Sequence, residues 1–346
     1  MGLVEVLNGG VKALIEYLSA HVLTCLVPAF FIAGAIAVFV SQAAVMKYFG
    51  AQAKKVLAYS VASVSGTILA VCSCTILPLF AGIHKRGAGL GPAIAFLYSG
   101  PAINILAIVY TARLLGFDLG LARAVGAISF SIIIGLIMAF IWRKEELAKE
   151  KNAQELILPQ SEKPKHEGIT ILYFAVLVGI LIFGAAKRWI VTGILLVVLF
   201  LILYRWFKKN ELKDWLYQTW DLGKKIFPIL LIGVFVAGMM KVLLPQQIVE
   251  HLVGGNGLRA NFIASIFGAF MYFSTLTEVP IIRALIDLGM GRGPALALLL
   301  AGPSLSLPSM IVLIGIMGWR KTGAYIILVV IMATITGMVF GALFGG

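Results

Sequence analysis

Two cysteines separated by one residue are the first feature of the sequence that could do chemistry. Cys72, Ser73 and Cys74 come directly before Thr75, inside a long apolar stretch. Side chains at positions i and i+2 of a regular α-helix point about 200° apart, so both sulfur atoms reach one ligand only where the helix is unwound. Pro78 lacks an amide donor and supplies a cause for such a break. Two converging thiolates would bind soft species such as Cu(I) or trivalent arsenic and antimony. Small cysteines also serve as packing residues, and that interpretation stays open.

Glu278 is the acidic residue with the most unusual sequence surroundings. The other fourteen of the fifteen acidic residues lie in predicted loops or at the ends of apolar blocks, whereas Glu278 lies inside FSTLTEVPIIR. A carboxyl group within a membrane marks a proton relay, an ion site or a pairing site. Because desolvation favours its neutral form, we predict that Glu278 carries a coupled proton. The alternative is a static ion pair with Arg283 or Lys241.

Polar side chains also cluster around two Gly-Pro pairs. They are Tyr98, Ser99 and Asn104 at the first pair, and Ser304 and Ser306 at the second. These groups could bind substrate by lining a polar cavity near the middle of the membrane. Buried amides and hydroxyls also satisfy freed backbone groups, and this structural role is equally compatible with the sequence.

The segment that carries these residues occurs twice. Residues 78–104 and 280–306 share seven Gly and Pro identities at a constant offset of 202, without a gap. The identities are Pro78/Pro280, Gly87/Gly289, Gly89/Gly291, Gly91/Gly293, Pro92/Pro294, Gly100/Gly302 and Pro101/Pro303. The sequence therefore predicts two repeated halves, although the cysteines and Glu278 are not duplicated.

Glycine and proline free backbone groups, which in hydrocarbon must be satisfied by protein, water or a ligand. Two equivalent interrupted helices are therefore a sequence pointer to a transport site. The alternative is that these glycines allow close helix packing. We predict helix breaks at Pro78, Gly100, Pro101, Pro280, Gly302 and Pro303.

Composition places these segments in a membrane. Of 346 residues, 61% are hydrophobic and 12% are charged, against roughly 25% charged in a soluble domain. This excludes a soluble globular enzyme and indicates an all-α polytopic membrane protein with about ten spans. The net charge of +13 lies in short segments between apolar blocks, which favours lipid headgroups rather than nucleic acid as the partner. The predicted spans are 20–41, 56–80, 88–112, 119–142, 169–186, 190–206, 225–244, 260–282, 294–317 and 322–344.

Five regions follow from this map. They are an interfacial helix at 1–19, a first membrane repeat at 20–142, a flexible cytoplasmic loop at 143–168, a linking hairpin and connector at 169–222, and a second membrane repeat at 223–346. The basic residues favour a multi-pass protein of the cell membrane with cytoplasmic termini. Six predicted spans separate equivalent positions, so the two halves should share one orientation. A re-entrant block would instead make them inverted.

The string CSCTILPLFAGIHKRGAGLGPAIAFLYSGPAIN resembles the signature of the predicted-permease family that includes YraQ-like proteins and ArsP organoarsenical efflux permeases. The resemblance covers nearly the whole chain. It implies export of trivalent methylated arsenicals, with Cys72 and Cys74 as the thiols that meet the metalloid. A monomethyl arsenite needs two sulfur atoms and a bare arsenite three, for which Cys25 would be the third.

The leading hypothesis is a secondary exporter without a cofactor that works by alternating access around the two interrupted helices. A second hypothesis is a membrane thiol–disulfide redox protein using Cys72 and Cys74, although redox motifs usually have two residues between the cysteines. A permease for an unrelated small molecule, or a channel, are further alternatives. The sequence leaves the oligomeric state open, a homo-oligomer included.

Overall fold

In the computed structural model, the described part of the chain consists of α-helices and contains no β-strand. It comprises residues 3–19, 22, 26–39, 54–69, 73–148, 167–186, 188–243, 252–271 and 275–344. The helices are α1 (Leu3–Tyr17), α2 (Val27–Phe39), α3 (Lys55–Leu69), α4 (Ser73–Lys85), α5 (Leu90–Ala102), α6 (Ile105–Leu115), α7 (Phe117–Ile141), α8 (Glu167–Ala185), α9 (Trp189–Trp206), α10 (Lys209–Leu243), α11 (Leu258–Phe270), α12 (Thr275–Asp287), α13 (Arg292–Ser304), α14 (Leu307–Met317) and α15 (Trp319–Phe344).

Three described helices, α7, α9 and α15, are long and apolar enough to cross a membrane singly. Two further candidates are bent pairs, α5 with α6 and α13 with α14, and each pair bends by 47°. The protein is therefore an all-α polytopic membrane protein, as predicted. Four predicted single spans, 56–80, 88–112, 260–282 and 294–317, each contain parts of two helices instead. Hydrophobicity does not show these interruptions because both helices of a pair are apolar.

Equivalent helices lie at the offset found in the sequence. The first and last residues of α4, α5 and α6 are each 202 positions before those of α12, α13 and α14. Glycines with positive φ recur at the same offset, with Gly87 (87°) matching Gly289 (105°) and Gly116 (107°) matching Gly318 (83°). Glycine adopts this conformation without the steric penalty that a Cβ atom brings. Two sets of short helices joined by the same turns follow from the duplicated Gly and Pro residues.

The equivalent helices also pack in equivalent ways. Helix α5 packs between α3 and α7, and α13 packs between α11 and α15. The halves meet where α5 contacts α13 and α7 contacts α15, and they interlock because α4 contacts α14 while α12 contacts α6. An ideal Cβ at Gly135 would lie 2.6 Å from the Gly91 oxygen, and one at Gly337 would lie 2.7 Å from the Gly293 oxygen. Glycine is therefore needed for the helices of each half to approach this closely.

The four prolines predicted to mark helix breaks lie at two kinds of position in the structure. Helices α5 and α13 end one residue after Pro101 and Pro303. Pro78 and Pro280, by contrast, lie inside α4 and α12. Each is the sixth residue of its helix, so it removes one backbone hydrogen bond near the start while the helix continues beyond it.

Two predicted boundaries differ in the structure, whereas the N-terminal helix forms in its predicted region. Residues 143–148, predicted as the start of a mobile loop, are helical, because Glu146 and Glu145 make buried or half-buried contacts with neighbouring helices. The predicted boundary at 222/223 falls inside α10, which is continuous and contains Pro228. Helix α1 forms within 1–19 and packs on the apolar half of α10, where an ideal Cβ at Gly238 would lie 2.7 Å from the Gly9 oxygen. Its location at a membrane interface stays a prediction.

Candidate functional site

A buried ion pair joins the two halves. The Arg123 Nη2 atom of α7 lies 3.2 Å from the Glu278 Oε2 atom of α12, and the two side chains are 0% and 1% exposed. Glu278 lies in the first turn of its helix, where the helix dipole favours a negative charge. The alternative partner Arg283 instead pairs with Asp287 at 2.9 Å on an exposed face. Of the two partners that the static-pair hypothesis named, Arg283 thus pairs elsewhere, and the Lys241 side chain lies outside the described part of the structure.

Arg123 is also bound to the end of the interrupted helix α5. Its Nε atom donates to the Ala102 carbonyl oxygen at 3.3 Å, and its Nη1 atom donates to the Thr111 Oγ1 atom at 3.0 Å. The residue 202 positions later is Tyr325, whose hydroxyl donates to the Ser304 carbonyl oxygen at 3.2 Å. In both halves, a side chain of the long helix thus binds the carbonyl at the end of the interrupted helix. Backbone groups freed by the break are satisfied by protein.

Further buried polar groups extend from this pair. The Tyr98 hydroxyl, the Ser304 hydroxyl and the Glu278 Oε1 atom are buried and make no hydrogen bond within the part of the chain that the structure describes. The Tyr98 hydroxyl nevertheless lies near enough to the Ser304 side chain and to Arg123 to interact with both. Tyr325 lies near Tyr98 in turn. We call Tyr98, Arg123, Glu278, Ser304 and Tyr325 the central polar cluster.

Asn104 and Ser306 lie at the joints of the bent pairs. The Ser306 hydroxyl accepts a hydrogen bond from the Ser309 amide at 3.4 Å and so caps α14. The Asn104 carbonyl accepts from the Ile108 amide at 2.9 Å in the equivalent position before α6. Both residues are buried. For Ser306, the structure therefore shows the structural role that the sequence left open, because its oxygen satisfies a helix amide.

The cysteine motif lies at the start of α4. Cys72 and Cys25 are outside the described residues, and α4 begins at Ser73 with Cys74 as its second residue. Thr75 is buried in the same first turn. The predicted thiol site and its metalloid therefore stay predictions. Within the described ranges, no group of three or more His, Cys, Asp or Glu side chains could hold a metal ion.

Exposed ion pairs connect neighbouring helices elsewhere in the structure. The Lys85 Nζ atom at the end of α4 lies 3.8 Å from the Asp221 Oδ2 atom of α10. A hydrogen bond from Lys225 lowers the pKa of Asp221, with a smaller contribution from Lys85. In the second half, Arg292 at the start of α13 pairs with Asp118 of α7 at 2.8 Å. The basic residues around the turns thus pair with acidic neighbours and hold helix ends together.

Arg123 is the site residue that sequence reasoning missed. Basic residues were assigned to the segments between apolar blocks, but Arg123 lies within LARAVGAISF, inside the predicted span 119–142. An ionisable residue inside a span is expensive wherever it occurs, and the same argument that identified Glu278 applies to it. A search for a basic residue at span depth would have found the partner.

The chemistry available to the central polar cluster is a change of charge at one member of its ion pair. Arginine keeps its charge in proteins, whereas a buried carboxyl group can be charged or neutral. Within the cluster, hydroxyl groups and a guanidinium donate hydrogen bonds, and the free carboxyl oxygen accepts one. Because the two charges belong to different halves, a change at Glu278 alters the contact between α12 and α7.

Comparisons with known proteins agree with this architecture. The sequence profile of the ArsP_1 family, described as a predicted permease, matches residues 8–342. The chain is 45% identical to the UPF0718 protein MJ0584 of Methanocaldococcus jannaschii, over 98% of this chain and 97% of that protein. It is 24% identical to the UPF0718 protein YraQ of Escherichia coli, over 70% of this chain and 56% of that protein. No solved structure matches the chain. A family match over nearly the full length and a relative of this similarity show that the chain belongs to the ArsP_1 family of predicted permeases.

Proposed function

We propose that this membrane permease is a secondary exporter that works by alternating access around its two interrupted helices. The observation that carries the proposal is the buried Arg123–Glu278 pair, which joins the halves beside the end of α5. Interrupted helices at the interface between structural repeats are where secondary transporters bind substrates and coupling ions. In this scheme Glu278 carries the coupled proton, and the helices α4 to α6 and α12 to α14 rearrange against each other.

The proposed substrates are trivalent arsenicals, organic ones included, or another soft thiophilic small solute. Cys72 and Cys74 are the proposed thiols, with Ser73 and Thr75 beside them and Tyr98, Asn104 and Ser306 nearer the joints. Support comes from the affinity of thiolates for soft metalloids and from the position of the motif at the start of α4. We further propose that the protein lies in the cell membrane with cytoplasmic termini.

Uptake by inverted membrane vesicles tests this proposal. We expect vesicles with the parent protein to accumulate methylarsenite, and the Cys72→Ser and Cys74→Ser variants to lose at least about tenfold in rate, since a hydroxyl is a poor ligand for a soft metalloid. Cys25→Ser is the matched control, because it removes one sulfur outside the motif. Equal uptake by parent, Cys72→Ser and Cys74→Ser vesicles would exclude these thiols from substrate binding.

The redox hypothesis is distinguished from the exporter hypothesis at the same two cysteines. A thiol–disulfide protein would pass electrons to a partner and would change the oxidation state of Cys72 and Cys74 in thiol buffers. A pair that stays reduced in an oxidising buffer, combined with methylarsenite uptake, would leave the exporter as the function.

A further inference from the structure

The charge balance of the central polar cluster constrains what Glu278 can do. A guanidinium is a permanent positive charge in proteins, and the Arg123 side chain is fully buried. Glu278 is its ion-pair partner among the described residues. Protonation of Glu278 in place would leave a buried guanidinium charge without compensation, which is strongly unfavourable. Glu278 can therefore take up a proton readily only if another negative charge reaches Arg123.

The unpartnered atoms around the pair indicate what would supply that charge. The Tyr98 and Ser304 hydroxyls are buried and close to each other, and neither makes a hydrogen bond to any further described group. Each hydroxyl can donate one hydrogen bond. Arg123 is a donor only, and it interacts with Tyr98. A hydrogen bond between the two hydroxyls uses only one of their two donors, so at least one buried donor is left for a ligand. The two hydroxyls together with one fixed guanidinium charge fit a small anion with several acceptor oxygens.

We propose that the central polar cluster is a binding site for a small monoanion of the size of nitrate or a carboxylate group. The anion binds Arg123, Tyr98 and Ser304 when Glu278 is protonated and turns away. One proton converts the Glu278 carboxylate to the carboxylic acid while one anion replaces it at Arg123, so the charge of the buried site is unchanged. The role of this anion site in transport rests on the proposed carrier function. In that role, a proton and a monoanion are the two ligands whose binding is coupled.

Other ionisable groups on the packed helices do not supply the missing charge. Tyr98 and Tyr325 are buried beside the pair and are neutral between about pH 5 and pH 8 by their type. The acidic residues on the helices around the pair are engaged with cations elsewhere: Asp118 with Arg292, Asp287 with Arg283, and Glu145 and Glu146 with Lys321. Tyr110 and Arg113 of α6 and Lys55 and Tyr59 of α3 carry no negative charge in this range.

The test uses nitrate as the probe and thermal unfolding of the purified full chain in detergent as the readout. Glu278→Gln imitates the protonated residue and leaves Arg123 uncompensated. At about pH 8, we expect replacing gluconate by nitrate at constant ionic strength to raise the Tm of this variant by about 3 °C or more. The parent should show this rise at about pH 5 and less than half of it at about pH 8. The double variant Arg123→Gln with Glu278→Gln is the matched control and should not respond.

A conservative variant keeps the test informative if the charge variants fold poorly. Tyr98→Phe retains the ring and both charges but removes one donor, so it should weaken the nitrate response of the parent at about pH 5 by about tenfold in affinity. The inference is overturned if the parent, Glu278→Gln and the double variant respond equally to nitrate. Nitrate binding without methylarsenite uptake would overturn only the exporter proposal, whereas uptake without a nitrate response specific to Arg123 would overturn only the anion site.

Discussion

The Arg123–Glu278 pair shows how two ionisable residues compensate each other's buried charge. Each is an ionisable group at span depth, and each alone would be costly to bury. The Arg123 Nη2 and Glu278 Oε2 atoms lie 3.2 Å apart, and both side chains are almost completely buried. The Nε and Nη1 atoms of Arg123 also donate to the Ala102 carbonyl and to the Thr111 hydroxyl, so the guanidinium is bound to α5 and α6 as well. The Glu278 carboxyl group keeps one oxygen, Oε1, without a hydrogen bond in the described structure.

A double-mutant cycle measures this pair. Arg123→Met leaves Glu278 buried without a partner and should lower the free energy of unfolding by about 3–5 kcal/mol. Adding Glu278→Gln to that variant should recover much of the loss, because neither charge is then buried. The check is the denaturation midpoint of the purified protein in detergent, with Arg283→Met, which breaks an exposed pair, as the control. Additive losses in the double variant would contradict a coupled pair.

At the scale of elements, proline position and glycine contacts decide how each helix behaves. A proline near the start of α4 or α12 leaves the helix continuous, whereas the Gly-Pro pairs lie next to the ends of α5 and α13. The chain then resumes after Asn104 and Ser306, so the interrupted helices are bent pairs with polar joints. Glycines at the crossing of α5 with α7 bring the backbones into direct contact.

Substitution of one of these glycines tests the close packing. In Gly135→Ala, the added methyl group would lie 2.6 Å from the Gly91 oxygen and 2.8 Å from the Tyr59 ring. Because backbone cannot move aside, we expect a loss of about 1–3 kcal/mol in the free energy of unfolding. Gly193→Ala is the matched control, since no atom lies within 4 Å of its added methyl group. It should be neutral or stabilise α9 by up to about 1 kcal/mol. A stable Gly135→Ala variant would contradict the packing.

At the scale of the whole molecule, the two halves interlock. Helix α4 of the first half contacts α14 of the second, and α12 of the second half contacts α6 of the first. A rearrangement of one half therefore displaces helices of the other, which is what alternating access requires. The asymmetric elements are the cysteine motif in the first half and Glu278 in the second, because the positions 202 residues away carry other side chains.

Orientation of the halves can be measured at two equivalent positions. Lys85 and Asp287 end α4 and α12, and their side chains are 50% and 55% exposed. With six predicted spans between them, we expect Lys85→Cys and Asp287→Cys to react with a membrane-impermeant maleimide from the same, cytoplasmic side. The background is a variant in which Cys25, Cys72 and Cys74 are replaced by serine, and this variant alone should remain unlabelled. Labelling from opposite sides would show inverted halves and overturn the parallel arrangement.

The sequence by itself determined the class of the protein and the location of its unusual segments. Hydrophobic blocks require a membrane because so few charges cannot keep such a surface in water. The constant offset of the Gly and Pro residues located the turns and bent pairs, since these residue types act on their own backbone. Glu278 was recognisable as a carboxyl group at span depth because its neighbours in the sequence are apolar. Pro78 and Pro280 lie inside α4 and α12, a position that their residue type alone does not specify.

Only the tertiary structure decided which groups meet. Arg123 and Glu278 are 155 residues apart in the chain, and no local pattern states that α7 and α12 bring them together. The same holds for Tyr98 and Ser304, whose hydroxyls approach each other because α5 and α13 pack at the contact between the halves. Sequence periodicity reports which face of a helix is apolar, whereas an ion pair across two halves depends on how all the intervening helices pack.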